Sequence, residues 1–199
     1  MTTNLLSADD IRTHRAVMRA RALSARASAP AVKYTAWEEA IESHLDGLIA
    51  RLAPQTLAFC WPYRAEPDLR AWVASWLNGD ANRVAALPVV VEQGAPLEFR
   101  SWRPGVELAR DRYGILYPVS GETIVPELVL VPLNAFDARG YRLGYGGGYF
   151  DRTLAVIRPI TVGIGLELGR EVDILPQPHD RPLDWLVTEA GAVRALLEL

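Results

Sequence analysis

Short apolar runs alternate with helical segments along most of this chain of 199 residues, and that alternation limits the possible folds most strongly. The runs are apolar on both faces, which is typical of strands buried in a parallel sheet. We therefore expect an α/β fold, a three-layer sandwich in which a mostly parallel sheet carries helices on both faces, as in Rossmann-like proteins. The predicted strands span residues 56–61, 84–91, 97–102, 127–132, 160–166 and 185–188, and the predicted helices span 9–27, 35–52, 67–77 and 190–199, with one more beginning near Tyr149. A single domain over residues 1–199 is expected.

Composition excludes several classes of protein. The lone cysteine, Cys60, rules out a disulfide framework and a cysteine-rich zinc site. No stretch approaches the ~18 apolar residues that span a bilayer, and the amino-terminal residues do not resemble a signal peptide, so we expect a cytoplasmic protein without a membrane segment. The formal net charge of −3 argues against a general nucleic-acid binder.

The segment between the strand at 127–132 and the helix near Tyr149 is the most informative for function. Four glycines fall within Gly144–Gly148, and a loop so rich in glycine loses much conformational entropy on folding. The usual reason for such a loop is the close approach of backbone N–H groups to an anion, with the amino terminus of a helix behind them. Arg142 and Arg152 can add positive charge for a phosphate, and Asp151 in the first turn of the helix could hold Mg²⁺.

This loop matches neither of the common nucleotide-binding motifs. It does not end in Gly-Lys-Ser/Thr, and Tyr149 stands where a dinucleotide fingerprint has its third glycine. From the pattern alone, a glycine-rich turn whose aromatic side chains only pack remains an alternative to a phosphate site. The aromatic residues in question are Tyr145, Tyr149 and Phe150.

The segment from Arg142 to Asp151, preceded by a strand ending in Val131-Pro132, resembles the 5-formyltetrahydrofolate cyclo-ligase family. Four further elements resemble the family in the same order along the chain, from about residue 12 to residue 189. They are the basic first helix ending in Ala22-Leu23-Ser24, the Glu66-Pro67-Asp68 segment after a strand, the segment Arg112-Tyr113-Gly114-Ile115 with Pro118, and the tail with Leu175-Pro176, His179-Asp180, Leu183-Asp184 and Thr188-Glu189.

The resemblance implies an enzyme that converts 5-formyltetrahydrofolate and ATP into 5,10-methenyltetrahydrofolate, ADP and phosphate, with Mg²⁺ as cofactor. It implies small-molecule partners, a reduced folate and ATP, and a monomer or weak dimer. Arg142 and Tyr149 would be catalytic, and Asp151 and Asp180 would hold the metal. The implied ATP-binding residues are Arg12, Arg15, Arg142, Leu143, Gly144, Tyr145, Gly146, Gly147, Gly148, Tyr149 and Phe150, and the implied folate-binding residues are Trp61, Glu66, Tyr113, Tyr145, Gly146, Gly147, Gly148 and Tyr149.

One departure from the family concerns the first helix. Relatives usually carry a lysine four residues before an arginine; Arg15 fits the arginine, but Ile11 stands at the lysine position. Arg12 is the neighbouring candidate, although an arginine and a lysine are not interchangeable at a phosphate. Two other functions therefore stay open: a relative that binds ATP or folate without the cyclo-ligase reaction, and an ATP-dependent enzyme acting on another small substrate, such as a thiamine-related compound.

Overall fold

The computed structural model describes residues 7–196. Its helices are α1 (Ala8–Ala27), α2 (Ala31–Leu52), α3 (Arg70–Asn78) and α4 (Tyr149–Val156), with a short 3₁₀ helix at Glu167–Gly169. Its strands are β1 (Thr56–Ala58), β2 (Val84–Val89), β3 (Glu98–Trp102), β4 (Leu108–Arg110), β5 (Leu116–Pro118), β6 (Leu128–Pro132), β7 (Ala135–Phe136), β8 (Arg142–Leu143), β9 (Ile160–Ile164), β10 (Trp185–Thr188) and β11 (Gly191–Arg194). None of the helices in this part of the chain is both long and apolar enough to cross a membrane.

Seven strands form one sheet in the order β11-β10-β9-β6-β1-β2-β3. The five inner strands run parallel, and the two edge strands, β3 and β11, pair antiparallel to their neighbours. Two small antiparallel ribbons, β4–β5 and β7–β8, lie outside this sheet. The predicted mostly parallel sheet is confirmed.

Helices cover both faces of the sheet. On β1, the buried Leu57 packs in a cluster with α2 and α3, whereas the adjacent Ala58 packs in a second cluster with the apolar side of α4. Successive residues of a strand point to opposite faces, so this pair divides the two layers of the core. The prediction of an α/β sandwich with helices on both faces is thereby confirmed.

The helix predicted for residues 190–199 is wrong. Gly191–Arg194 is an edge strand, in which Gly191 pairs with Thr188 and Arg194 pairs with Trp185. The run of Ala, Leu and Glu that follows favours a helix by propensity alone, but a sheet edge that offers unpaired backbone groups overrides such a preference. Residues 197–199 lie outside the described part of the chain.

Candidate active site

Most of the predicted site residues lie at the carboxyl end of the parallel strands, where ligands usually bind in open α/β sheets. Residues 133–148 follow β6, Glu66 follows β1, and Asp180 follows β9. Helix α1 lies against β7 and the 3₁₀ helix and closes this end of the sheet from the side. Its inward stripe consists of Ile11, Arg15, Arg19, Ala22 and Arg26, which recur at helical spacing.

The glycine loop, Gly144–Gly148, needs glycine at two positions for reasons of backbone conformation. Gly146 has φ +93° and Gly148 has φ +65°, both in the left-handed region. Gly148 is also the N-cap of α4 and has no side chain with which to cap it. Because the first N–H groups of a helix have no partner within the helix, those of α4 face the loop as donors for an anion.

Arg142 and Asp151, predicted for phosphate and for metal, form an ion pair beside this loop, in which Arg142 is buried and Asp151 is partly exposed. Nη2 of Arg142 donates to Oδ1 of Asp151 at 3.0 Å, and Nη1 donates to the Arg181 carbonyl at 2.7 Å. The Arg181 N–H in turn donates to Oδ1 of Asp151 at 3.1 Å. Burial lowers the pKa of Arg142, while the charges of Asp151 and Asp180 oppose that change. The guanidinium stays charged, because arginine does not lose its proton in proteins.

Asp180 forms a second pair, with Arg15 of α1. Both nitrogens of the Arg15 fork donate to the two carboxylate oxygens of Asp180, and the Gln177 N–H donates to Oδ2 at 2.7 Å. Burial raises the pKa of Asp180, but the hydrogen bonds from Arg15 and Gln177 outweigh it, so the pKa lies below its usual range. The predicted metal ligands and two of the predicted ATP-binding arginines thus meet in one cluster of alternating charge.

The structure separates Arg12 from this cluster. The Arg12 guanidinium pairs with Asp9 on the outer side of α1, and both side chains are about four-fifths exposed (79% and 83%). Arg19, which the sequence analysis did not single out, lies on the inward stripe, and its Nε donates to the Gly144 carbonyl at 2.6 Å. Its position four residues after Arg15 was the available sequence signal, since residues at i and i+4 share a helix face. Burial, and secondarily the charge of Arg15, lowers the pKa of Arg19.

Glu66 meets the other end of the glycine loop. It is buried; its Oε1 accepts from the Tyr145 hydroxyl at 2.7 Å and its Oε2 accepts from the Tyr63 N–H at 3.0 Å. Burial raises the pKa of Glu66 and also raises the pKa of Tyr145. The cavity at Glu66 measures about 20 Å³, which admits one water molecule but not a bicyclic ring.

The remaining predicted aromatic residues divide into two groups. Tyr113, in the turn of the β4–β5 ribbon, meets Tyr149 edge-on with ring centroids 6.4 Å apart. The contact with Tyr113 raises the pKa of Tyr149, so this hydroxyl keeps its proton and can donate. Trp61 and Phe150, by contrast, are half-buried and pack against the two core clusters.

Leu143 is fully buried in β8, so only its backbone is available to a nucleotide. An added Cβ at Gly147 would lie 2.8 Å from the Tyr149 ring, so a side chain there would have to displace that ring.

The chemistry of the donor set fits a magnesium ion that arrives with a nucleotide. No group of three or more His, Cys, Asp or Glu side chains within residues 7–196 could hold a metal by itself. Magnesium is commonly held by one or two carboxylates together with substrate phosphates and water, and Asp151 and Asp180 supply such carboxylates.

A separate cavity of about 530 Å³ lies between α2 and α3, lined by Asp46, Trp72 and Trp76 among others. Gln55 before β1 and Arg83 before β2 also line it, so this cavity is at the amino end of the strands, away from the site. None of the predicted site residues lines it.

Comparison with known proteins agrees with the motifs. A model of the 5-formyltetrahydrofolate cyclo-ligase family matches residues 11–189. The chain belongs to this family. Within the family, it is similar to the 5-formyltetrahydrofolate cyclo-ligase of Mycolicibacterium smegmatis (31% identical, covering 90% of this chain and 95% of the relative) and to that of Haemophilus influenzae (29% identical, covering 79% and 88%).

A solved structure shares the cyclo-ligase fold. The 5,10-methenyltetrahydrofolate synthetase of Aquifex aeolicus superposes with a TM-score of 0.80 at 26% identity, covering 93% of this chain and 94% of that one. The family membership predicted from the motifs is therefore confirmed.

Proposed function

We propose that this protein is a 5-formyltetrahydrofolate cyclo-ligase, which closes 5-formyltetrahydrofolate to 5,10-methenyltetrahydrofolate while ATP becomes ADP and phosphate. In this reaction, the formyl oxygen attacks the γ-phosphorus and ADP leaves. N10 then attacks the activated carbon and gives up its proton, and the phosphate departs with the former formyl oxygen. Family membership supports the substrate class, and one structural observation supports the chemistry: Arg15, Arg142, Asp151 and Asp180 converge beside a glycine loop at the start of a helix.

The phosphate side of the site consists of donors with fixed positions. Arg142 is buried and held by the Arg181 carbonyl, so its guanidinium is already oriented. Arg19 adds a half-buried positive charge at Gly144, and the first turn of α4 adds backbone N–H groups. Oriented donors of this kind stabilise charge on a transferring phosphoryl group without reorganising during the reaction.

Asp151 and Asp180 would hold Mg²⁺ together with the nucleotide. When bound, the metal neutralises charge on the phosphate oxygens. In the structure, Asp151 pairs with Arg142 and Asp180 pairs with Arg15. On binding of the nucleotide with Mg²⁺, the two carboxylates would therefore contact the cation, and the N–H groups of the two arginines would contact the phosphates.

The folate side begins at Tyr113 and Tyr149, whose edge-on rings leave an exposed aromatic surface for a flat pterin. Glu66 would accept hydrogen bonds from the donor edge of the ring system. Because the cavity at Glu66 is so small, a pterin would reach that carboxylate only after neighbouring side chains shift. Trp61, packed on the core near the same strand end, would border the bound ring.

The absorbance of the methenyl product tests the proposal. Purified protein with 5-formyltetrahydrofolate, ATP and Mg²⁺ should form the product, and leaving out either ATP or Mg²⁺ should abolish it. A folded protein that binds ATP but forms no product would exclude the cyclo-ligase reaction.

A binding protein without turnover is the second candidate, and the outward position of Arg12 favours it. Ile11 stands at the position of the family lysine, and the neighbouring Arg12 does not reach the loop. Under this alternative, Mg-ATP and 5-formyltetrahydrofolate would together raise the melting temperature while no product formed.

A further inference from the structure

Arg26, near the end of α1, is a charged residue buried where three segments meet. Its Nη2 donates to the Tyr145 hydroxyl at 2.8 Å, its Nε donates to the Arg64 carbonyl at 3.0 Å, and its Nη1 lies 3.4 Å from the Leu133 carbonyl. These carbonyls follow β1 and β6, and Tyr145 belongs to the glycine loop. Arg26 thus joins the segments after two central strands to the loop.

The Tyr145 hydroxyl links this guanidinium to the Glu66 carboxylate. It accepts from Arg26 and donates to Oε1 of Glu66 at 2.7 Å, while the Tyr63 carbonyl, at 3.2 Å, is its other acceptor. Arg26 and Glu66 are only 4% and 7% exposed. Two buried opposite charges are therefore bridged by one phenol oxygen, an arrangement in which removing either charge leaves the other without compensation.

The other ionisable groups around Glu66 do not supply this compensation. Burial raises the pKa of Tyr34 on α2 and of Cys60 after β1, so both stay neutral near pH 7. Arg64 stacks on the outer faces of the Tyr63 and Tyr145 rings, 5.2 Å and 5.9 Å from their centroids. Burial raises the pKa of Glu66, and the charge of Arg26 acts against that rise together with the hydrogen bonds from Tyr145 and Tyr63.

We propose that Arg26 is a positioning residue for the folate side of the site: through Tyr145 it fixes the Glu66 carboxylate and keeps it ionised as a hydrogen-bond acceptor. The inference rests on the proposed function, in which Glu66 contacts the reduced folate. The Arg64 and Leu133 carbonyls also hold the Arg26 guanidinium, so its position does not depend on Tyr145 alone. Arg26 touches neither substrate and acts only through Glu66 and Tyr145.

The pH dependence of kcat/KM for 5-formyltetrahydrofolate tests this role in three variants. Arg26→Met should raise KM for the folate at least ~10-fold, with a smaller change in kcat, because it removes a binding interaction rather than a reacting group. It should also move the acid limb of the profile upward by roughly one pH unit, because Glu66 loses its compensating charge. Arg26→Lys should restore the limb. Arg21→Met, on the exposed side of the same helix, where Arg21 pairs with Glu171, should match the wild type.

Tyr145→Phe provides a second test that keeps both buried charges and removes only the bridge. It should raise KM for the folate and move the acid limb in the same direction by a smaller amount. If Arg26→Met is too unstable to assay, the KM and acid limb of Tyr145→Phe test the proposal instead. A wild-type KM and acid limb in Tyr145→Phe, or in a folded Arg26→Met, would overturn the proposal.

A direct titration separates this inference from the proposed function. If the wild type forms no methenyl product, the proposed function fails, and the role of Arg26 is read from ¹³C NMR of the glutamate carboxyl carbons. The Glu66 signal is assigned with Glu66→Gln. A higher titration midpoint for Glu66 in Arg26→Met, or in Tyr145→Phe, than in the wild type supports the inference, and an unchanged midpoint refutes it.

Discussion

Nη2 of Arg142 lies 3.0 Å from Oδ1 of Asp151, and this pair joins the glycine loop to the first turn of α4. The backbone of Arg181 is hydrogen-bonded to both members, so the segment that carries Asp180 is fixed against the same pair. Arg15 completes the arrangement from α1. A site for a nucleotide with its cation would need both positive and negative side chains at this point, and here they form ion pairs with each other.

Loss of either member of the first pair should abolish most of the turnover. Arg142→Ala and Asp151→Ala should each reduce kcat at least ~100-fold, because each removes charge stabilisation from phosphoryl transfer. Steady-state formation of the methenyl product measures the effect. Arg21→Ala removes an exposed arginine of α1 and serves as the control. Turnover within about threefold of the wild type in both site variants would contradict the proposed loop chemistry.

Two arginines of α1 should differ in their effect on ATP. Arg19→Ala should raise KM for ATP about tenfold, because it removes a half-buried charge at the Gly144 carbonyl. Arg12→Ala should change that KM by less than about twofold, because an exposed pair such as Arg12–Asp9 contributes little. The same assay at varied ATP compares the two variants. A larger effect from Arg12 than from Arg19 would show that the helix presents a different face to the nucleotide.

The backbone of the glycine loop predicts a contrast in stability. Gly148→Ala should lower the free energy of unfolding by about 1–2 kcal/mol, because alanine is strained at a φ of +65°. Gly144→Ala should cost less than about 1 kcal/mol, since its φ is not in the left-handed region and an added Cβ would meet open space. Denaturant unfolding of both variants gives the comparison. Equal losses would mean that the loop does not hold the conformation described.

Asp180 should make stability depend on pH in the acid range. The pKa of Asp180 in the folded protein lies below its usual value. Its ionised form therefore stabilises the fold at any pH above the pKa of an aspartate in the unfolded chain, near 4. This stabilisation is lost as the pH falls through the lower pKa of Asp180 in the folded protein. Asp180→Asn should therefore lower the stability at pH 7 by at least about 1 kcal/mol, because Asp180 is buried and its ionised hydrogen bonds with Arg15 are lost.

That difference should shrink as the pH falls below 4. Melting curves from pH 2 to pH 8 measure it, with Asp9→Asn, which disrupts the exposed pair with Arg12, as the control. A loss that is the same at pH 2 and pH 7 would mean that the Asp180 charge is not the cause.

The sequence predicted the central strands and the family, because apolar runs and the spacing of the glycine loop are local signals. It did not predict β11, because the composition of residues 190–199 favours a helix, whereas Gly191–Arg194 folds back on β10 as the second strand of a hairpin. Nor could it decide whether Arg12 or Arg19 lies near the glycine loop, because the face of a basic helix that points inward is known only from how the helix packs. The buried pairing of Arg26 with Glu66 through Tyr145 joins residues about 40 to 120 positions apart, and no local pattern indicates such a contact.

The most direct test of the account measures the methenyl product and ADP in the same sample of the purified wild-type protein, with 5-formyltetrahydrofolate, ATP and Mg²⁺ present. We expect one molecule of ADP for each molecule of methenyl product. Neither ADP nor the methenyl product should form when 5-formyltetrahydrofolate or Mg²⁺ is left out. Formation of ADP without the methenyl product would mean that the phosphoryl group is transferred to an acceptor other than the formyl oxygen. Neither product, from a protein that still binds ATP, would contradict the cyclo-ligase assignment.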